Sequence, residues 1–219
     1  MSRKLRIALV APVWLPVPPC TYGGTETIVA LLLRHYLAAG HDVVLFASGD
    51  SDAGGAELRS LTPQGLIDRM AAREAESYEH YANALAADVV AASEHLDVVH
   101  SHLGMAQLPA LALPSCPVVQ TVHTLPAVDD CWIAARCPDV ALVTLTWAQA
   151  APFDVPVHVV PSGLDLDAYR PTRPTVTSPS SAEWVRAKTR WAGSRWRWHR
   201  AATSSSPGRL KAVLIARPA

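Results

Sequence analysis

Three histidines, a glycine pair and one carboxyl are the residues of this 219-residue chain whose types and spacing invite chemistry. His123 closes the apolar run PVVQTVH and is followed by Leu125-Pro126 and the acid pair Asp129-Asp130. An imidazole at the carboxyl end of a strand is placed to hydrogen-bond a substrate hydroxyl or hold its proton. The same spacing also suits a rim histidine that is simply hydrogen-bonded. His100 and His102 end the run DVVHSH. They are expected to point to opposite sides of their strand, one facing a cleft while the other packs. A metal ion would need a third ligand, none is apparent, and no metal site is expected.

Gly23 and Gly24 lie in VPPCTYGGTE, between the apolar run LRIALVA and the helically spaced TIVALLLRHYLAAG. Glycine lets backbone amides approach a phosphate or sugar without an intervening Cβ. The first free N–H groups of the helix that follows favour an anion. Pro16, Pro18 and Pro19 are expected to hold the loop extended. A plain turn is the competing reading. The stretch is neither G-x-G-x-x-G nor a Walker loop, since no lysine follows the glycines. Glu26 has two open roles: a carboxylate that stabilises the helix N-terminus, or an acceptor for sugar hydroxyls.

The elements that must position these groups follow from hydrophobic spacing. Strand candidates are 5–11, 42–47, 97–102, 117–123, 139–145 and 157–161, most of them apolar on both faces. That pattern fits parallel strands covered on two sides. Helix candidates are 25–39, 63–95 and 104–113. The long middle one opens at Thr62-Pro63, a capping hydroxyl followed by proline. Its stripe is Leu66, Met70, Tyr78, Tyr81, Leu85 and Val89. Gly40 marks the end of the first helix. Strands alternating with helices give an α/β class, a doubly wound, mostly parallel, Rossmann-like sheet. In such a sheet ligands gather at the carboxyl ends of the strands. Ser162-Gly163 makes a further turn at that edge, and Asp165 and Asp167 lead out of it.

The rhythm stops near residue 171. Residues 1–171 carry 9 Lys/Arg and 18 Asp/Glu, whereas residues 172–219 carry 10 Lys/Arg and one acid, Glu183. The formal net charge of zero therefore hides two parts at −9 and +9. The second part holds four of the seven tryptophans and twelve Ser/Thr. It is expected to be an irregular basic tail, with one strand candidate in KAVLIA (211–216). Interleaved Arg and Trp suit single-stranded nucleic acid, but an accidental basic tail is the preferred reading. The basic-then-apolar start is read as a first strand, with no leader and no membrane span, and peripheral contact with a membrane surface stays open. Cys20, Cys116, Cys131 and Cys137 match no zinc spacing. Scattered reduced thiols place the protein in the cytoplasm.

The segments KLRIALVAPVWLPVPPCTYGGTETIVALLLRHYLAAGHDVVLFASGDS, LDVVHSHLG, PVVQTVHT and VHVVPSGLDLDAYRP together resemble the N-terminal half of family-4-type glycosyltransferases of the GT-B architecture. The resemblance covers about residues 4–171. It implies two Rossmann-like domains facing a cleft, the first holding mostly acceptor and the second the nucleotide sugar, with a spaced glutamate pair. It implies retaining transfer with no essential metal and no cofactor beyond the nucleotide-sugar substrate. Carried over, Gly23 and Gly24 look like the glycine loop, and His123 like the histidine near the transferred sugar. Glu26 and His102 are candidates for acceptor contacts. Two features depart from the pattern: no basic residue follows His123 closely, and S-x-x-Q-R appears as TWAQAAP. The GR…EKG segment of the second domain is not found in 172–219, so a truncated or frameshifted chain is expected. The alternative is a binding module or half-enzyme completed by a separate donor-binding polypeptide.

Overall fold

The computed structural model describes residues 3–165. The 172–219 segment, with KAVLIA and the nucleic-acid reading, lies outside the described residues, as does Asp167. Among the described residues seven parallel strands form one sheet: β1 (Arg6–Val10), β2 (Asp42–Phe46), β3 (Glu57–Arg59), β4 (Val98–Ser101), β5 (Val118–Val122), β6 (Val140–Thr144) and β7 (Val157–Val159). Their order is β3-β2-β1-β4-β5-β6-β7. The six runs read from sequence are all strands, and the sheet has the expected doubly wound α/β form. β3 is an addition: its three residues, Glu-Leu-Arg, sit on the sheet edge with no apolar run to mark them.

Residues two apart in a strand share a face, and two cores result. Ala8, Val10, Val44, Phe46, Val99, Val118 and Val140 face α3 (Tyr78–Ala92) and α4 (Leu108–Leu111), meeting Leu85, Val89, Leu108 and Leu111. Leu9, Val43 and Leu45 face the other way, onto Val29 and Leu33 of α1 (Gly24–Ala38). Phe46 is fully buried; burying one such ring contributes about 1.5–3 kcal/mol.

The helix expected over 63–95 is two helices, α2 (Leu66–Ala71) and α3. The stripe from Leu66 to Val89 does reach the core, but across a break. Arg73 occupies the left-handed region at φ 61°. Its N–H donates to the Met70 carbonyl, and that of Glu74 to the Arg69 carbonyl. These are the two bonds of a Schellman ending. Thr62-Pro63 is not the cap: Gly65 precedes α2, and the Thr62 carbonyl accepts from Gly49 N–H at 2.8 Å. The segment 104–113 is a 3₁₀ turn (Met105–Gln107) followed by the short α4. Two short helices not expected from sequence complete the lobe, α5 (Val128–Ala134) and α6 (Trp147–Ala150). Among the described residues no helix is long and apolar enough to cross a membrane.

Candidate functional site

β1 runs out to β2 and β3 on one side, and the chain returns to lay β4 on the other. The strand order therefore reverses between β1 and β4, whose carboxyl ends open a crevice at that switch point. A cavity of about 210 Å³ occupies the position. Pro12 and Trp14 enter it from the connection after β1, His102 and Gly104 from that after β4, and His123 and Thr124 from that after β5. Thr25, in the first turn of α1, and Tyr78, at the start of α3, complete the wall.

The β1 connection is fixed from below. Val17 N–H donates to Ser51 Oγ at 3.0 Å, and Asp52 N–H to the Val17 carbonyl at 2.7 Å. Asp50 carboxylate oxygens accept from Gly65 N–H at 3.1 and 3.2 Å. The ASGDS turn after β2 thus holds the segment that carries Trp14. Contrary to expectation, the proline-rich stretch is not straight: it bends at several residues from Val13 to Thr21, and the Val17–Pro18 peptide is cis. Trp14 stacks on Tyr78 with centroids 4.3 Å apart and planes 1° from parallel. Burial, then the nearby Glu79 and Glu26 carboxyls, push the Tyr78 phenol pKa up, so the ring stays neutral.

The two glycines have different roles. Gly23 is buried and precedes α1; a Cβ there would lie 2.7 and 2.8 Å from Pro19 ring carbons. Gly24 opens α1, is exposed, and a Cβ on it would meet nothing within 4 Å. Gly23→Ala is therefore expected to cost about 1–3 kcal/mol through the Pro19 clash. Gly24→Ala should leave the urea midpoint unchanged or slightly raised, and weaken only a ligand that approaches the bare backbone. Equal losses of stability in both variants would show that the pair is merely a packed turn. Glu26 lies buried in the first turn of α1. Burial raises its pKa, opposed by a hydrogen bond from its own backbone amide. Its carboxyl faces the Gly23 side of the loop: Oε2 would stand 3.0 Å from a Gly23 Cβ.

The histidines do not divide between two faces. Positions 100 and 102 are two apart, and period two puts them on the same face; their ring centroids are 4.4 Å apart. His100 Nδ1 lies 2.9 Å from Tyr36 Oη, and its Nε2 2.9 Å from Thr121 Oγ1. His102 Nδ1 lies 2.7 Å from His123 Nε2. The result is a file of three imidazoles running from α1 to the crevice. Burial holds the His100 pKa down to about 4, aided by His123. Burial, with His100 and His123 adding, holds His102 well below its ordinary value, and burial alone lowers His123. All three are neutral near pH 7. Among the described residues no group of three or more His, Cys, Asp or Glu side chains is disposed to hold a metal ion.

Spacing alone did not reveal the groups that orient this file. Gln120, buried within β5, donates from Nε2 to the Leu103 carbonyl at 2.8 Å and so ties down the turn after His102. Gln149 spans the loops beyond β5 and β6: its Oε1 accepts from Leu145 N–H, and its Nε2 donates to the Thr124 carbonyl. Thr146 caps α6, its hydroxyl accepting from Gln149 N–H. Through Thr146 and Gln149 the TWAQAAP segment therefore positions the loops beyond β5 and β6. A polar residue inside an apolar strand run, as in VVQTV, is the signal that marks Gln120.

Comparison with known proteins completes the description. The family model for "Glycosyltransferase Family 4" matches residues 22–168, more than half of the chain. No curated protein matches. Among solved structures, one titled "Crystal structure of AviGT4, a glycosyltransferase involved in Avilamycin A biosynthesis" is 27% identical with a TM-score of 0.46. That match covers 76% of this chain and 44% of the other, so this chain spans less than half of that protein's length.

Proposed function

The chain belongs to glycosyltransferase family 4, and from that premise we propose that its described lobe is the acceptor side of a sugar-transfer cleft. The reaction moves a sugar from a nucleotide-sugar donor to an acceptor hydroxyl. Retention of anomeric configuration and independence from metals and cofactors follow from the family resemblance. One observation carries the proposal: the first turn of α1, through Thr25, and the imidazole of His123 converge on a single cavity at the switch point. The exposed Gly24 amide favours donor phosphate oxygens, and His123 meets a hydroxyl of the transferred sugar. Glu26 is assigned to the acceptor side; His102, expected there too, is buried and hydrogen-bonded to His123, and so acts on the transferred sugar through that ring. Stabilising the departing nucleotide phosphate needs oriented charge and donors from a second, donor-binding lobe. Nucleic acid has no part in the proposal. The free state of all four cysteines suits action in the cytoplasm.

A specific observation favours supply of that lobe by a partner polypeptide as a second reading. Leu125 and Val128, just beyond His123, are 73% and 86% exposed, an apolar rim suited to being covered. The test is release of nucleoside diphosphate from a panel of nucleotide sugars. The chain would be assayed alone and combined with the donor-binding lobe of a family member. Transfer is expected only in the combined form. Turnover at a comparable rate by the chain alone would refute the division of labour between lobes.

A further inference from the structure

We infer that His102 is a positioning residue that fixes the tautomer of His123, so that His123 faces its ligand as an Nδ1–H donor. The inference rests on the assignment of His123 to the ligand site and adds which nitrogen acts there, and in which sense.

His102 Nδ1 and His123 Nε2 are 2.7 Å apart, and in a neutral pair only one of them carries the shared hydrogen. The choice is made at the other end of His102. That side chain is 3% exposed, and its Nε2 is buried without a hydrogen-bond partner. No acceptor among the described residues lies within hydrogen-bond reach of that nitrogen. The His100 ring lies 4.4 Å away, with both His100 nitrogens engaged by Tyr36 and Thr121. The cavity that His102 lines on the α1 side is mostly apolar, walled by Ile28, Leu32, Val119 and Val143, and of its polar members Tyr36 and Thr121 are engaged with His100.

Were the hydrogen on His102 Nε2, a buried N–H would stand with nothing to donate to. Folded proteins tolerate an under-used acceptor more readily than an orphaned buried N–H. The hydrogen therefore belongs on His102 Nδ1, which donates to His123 Nε2. His123, neutral and with Nε2 already accepting, carries its own hydrogen on Nδ1. That remaining nitrogen belongs to a half-buried ring on the cavity wall. It offers a hydrogen to a ligand oxygen and cannot remove one. The role is to orient a hydroxyl and stabilise negative charge on oxygen, not to act as a general base.

The experiment is long-range proton–nitrogen correlation NMR on the whole chain labelled at histidine nitrogens, at neutral pH and without ligand. The expected spectrum shows His123 with a proton-bearing Nδ1 and a bare Nε2. The opposite pattern at His123 overturns the inference. His102→Asn, whose amide nitrogen is bonded to Cγ as Nδ1 is, should keep the wild-type His123 signature. His102→Phe should shift His123 toward the Nε2–H form. An unchanged His123 signature in folded His102→Phe would also overturn the inference, and the wild-type spectrum decides if that variant does not fold. Because no substrate is present, failure of the transferase reading would appear in the turnover assay and leave this result standing.

Discussion

Acidification from pH 7 to pH 4 is expected to remove about 3 kcal/mol of folding stability through His100 alone, the equivalent of moving its pKa from 6.5 to about 4. An unfolded imidazole takes up its proton as the pH falls below 6.5, whereas the folded one resists until about 4. Between those values the unfolded state binds more protons, so stability is complete above pH 6.5 and drains away as the pH drops. His102, buried beside two other imidazoles, adds to the loss in the same direction. Glu26 works the other way. Its raised carboxyl pKa means that the folded state takes up a proton first, which favours folding below that pKa. Urea unfolding followed by circular dichroism at stepped pH measures the sum, most cleanly from pH 6.5 to 5, above the range where ordinary carboxylates titrate. His100→Gln should flatten the slope there. A wild-type midpoint constant across that window would contradict the burial of the file.

The second large effect concerns turnover. In the assay with a donor-binding lobe, His123→Ala should lower kcat by about 10²–10³-fold, the usual cost of deleting one donor aimed at developing charge. His123→Asn should recover part of that loss, because its amide nitrogen sits where Nδ1 does. With a donor rather than a base at this position, kcat should not fall with a histidine-like pKa between pH 8 and 6. A KM effect alone, with kcat intact, would reduce His123 to a uniform binding contact.

Much of this architecture was legible because it depends on local composition. Two-sided apolar runs mark buried parallel strands, and six of the seven strands announce themselves so. The two helix ends show where legibility stops. α1 closes at Gly40, φ 84°, with His41 N–H donating to the Tyr36 carbonyl and Gly40 N–H to that of Leu37. α2 closes with the same pair of bonds around Arg73. The first is visible because glycine favours that conformation. The second carries no glycine, and the apolar stripe runs on past it, so one long helix was expected. At the site, residue types flagged His102 and His123, but not which nitrogens meet. That depends on register between β4 and β5, and Tyr36 and Thr121 reach His100 from 64 and 21 residues away. His100 and His102 share a face because two steps along a strand return to the same side.

The crevice draws its walls from three separate connections, leaving β1, β4 and β5, while the ladder beneath is held by main-chain pairing and two independent cores. The connection after β1 can therefore be rewritten over generations without retuning the other two, which are tied to each other through His102 and His123. Diversification of ligand preference would proceed by swapping rims on a constant floor. Trp14 with Tyr78, the turn at Gly104, and the segment beyond His123 are the three modules in which such variation should concentrate.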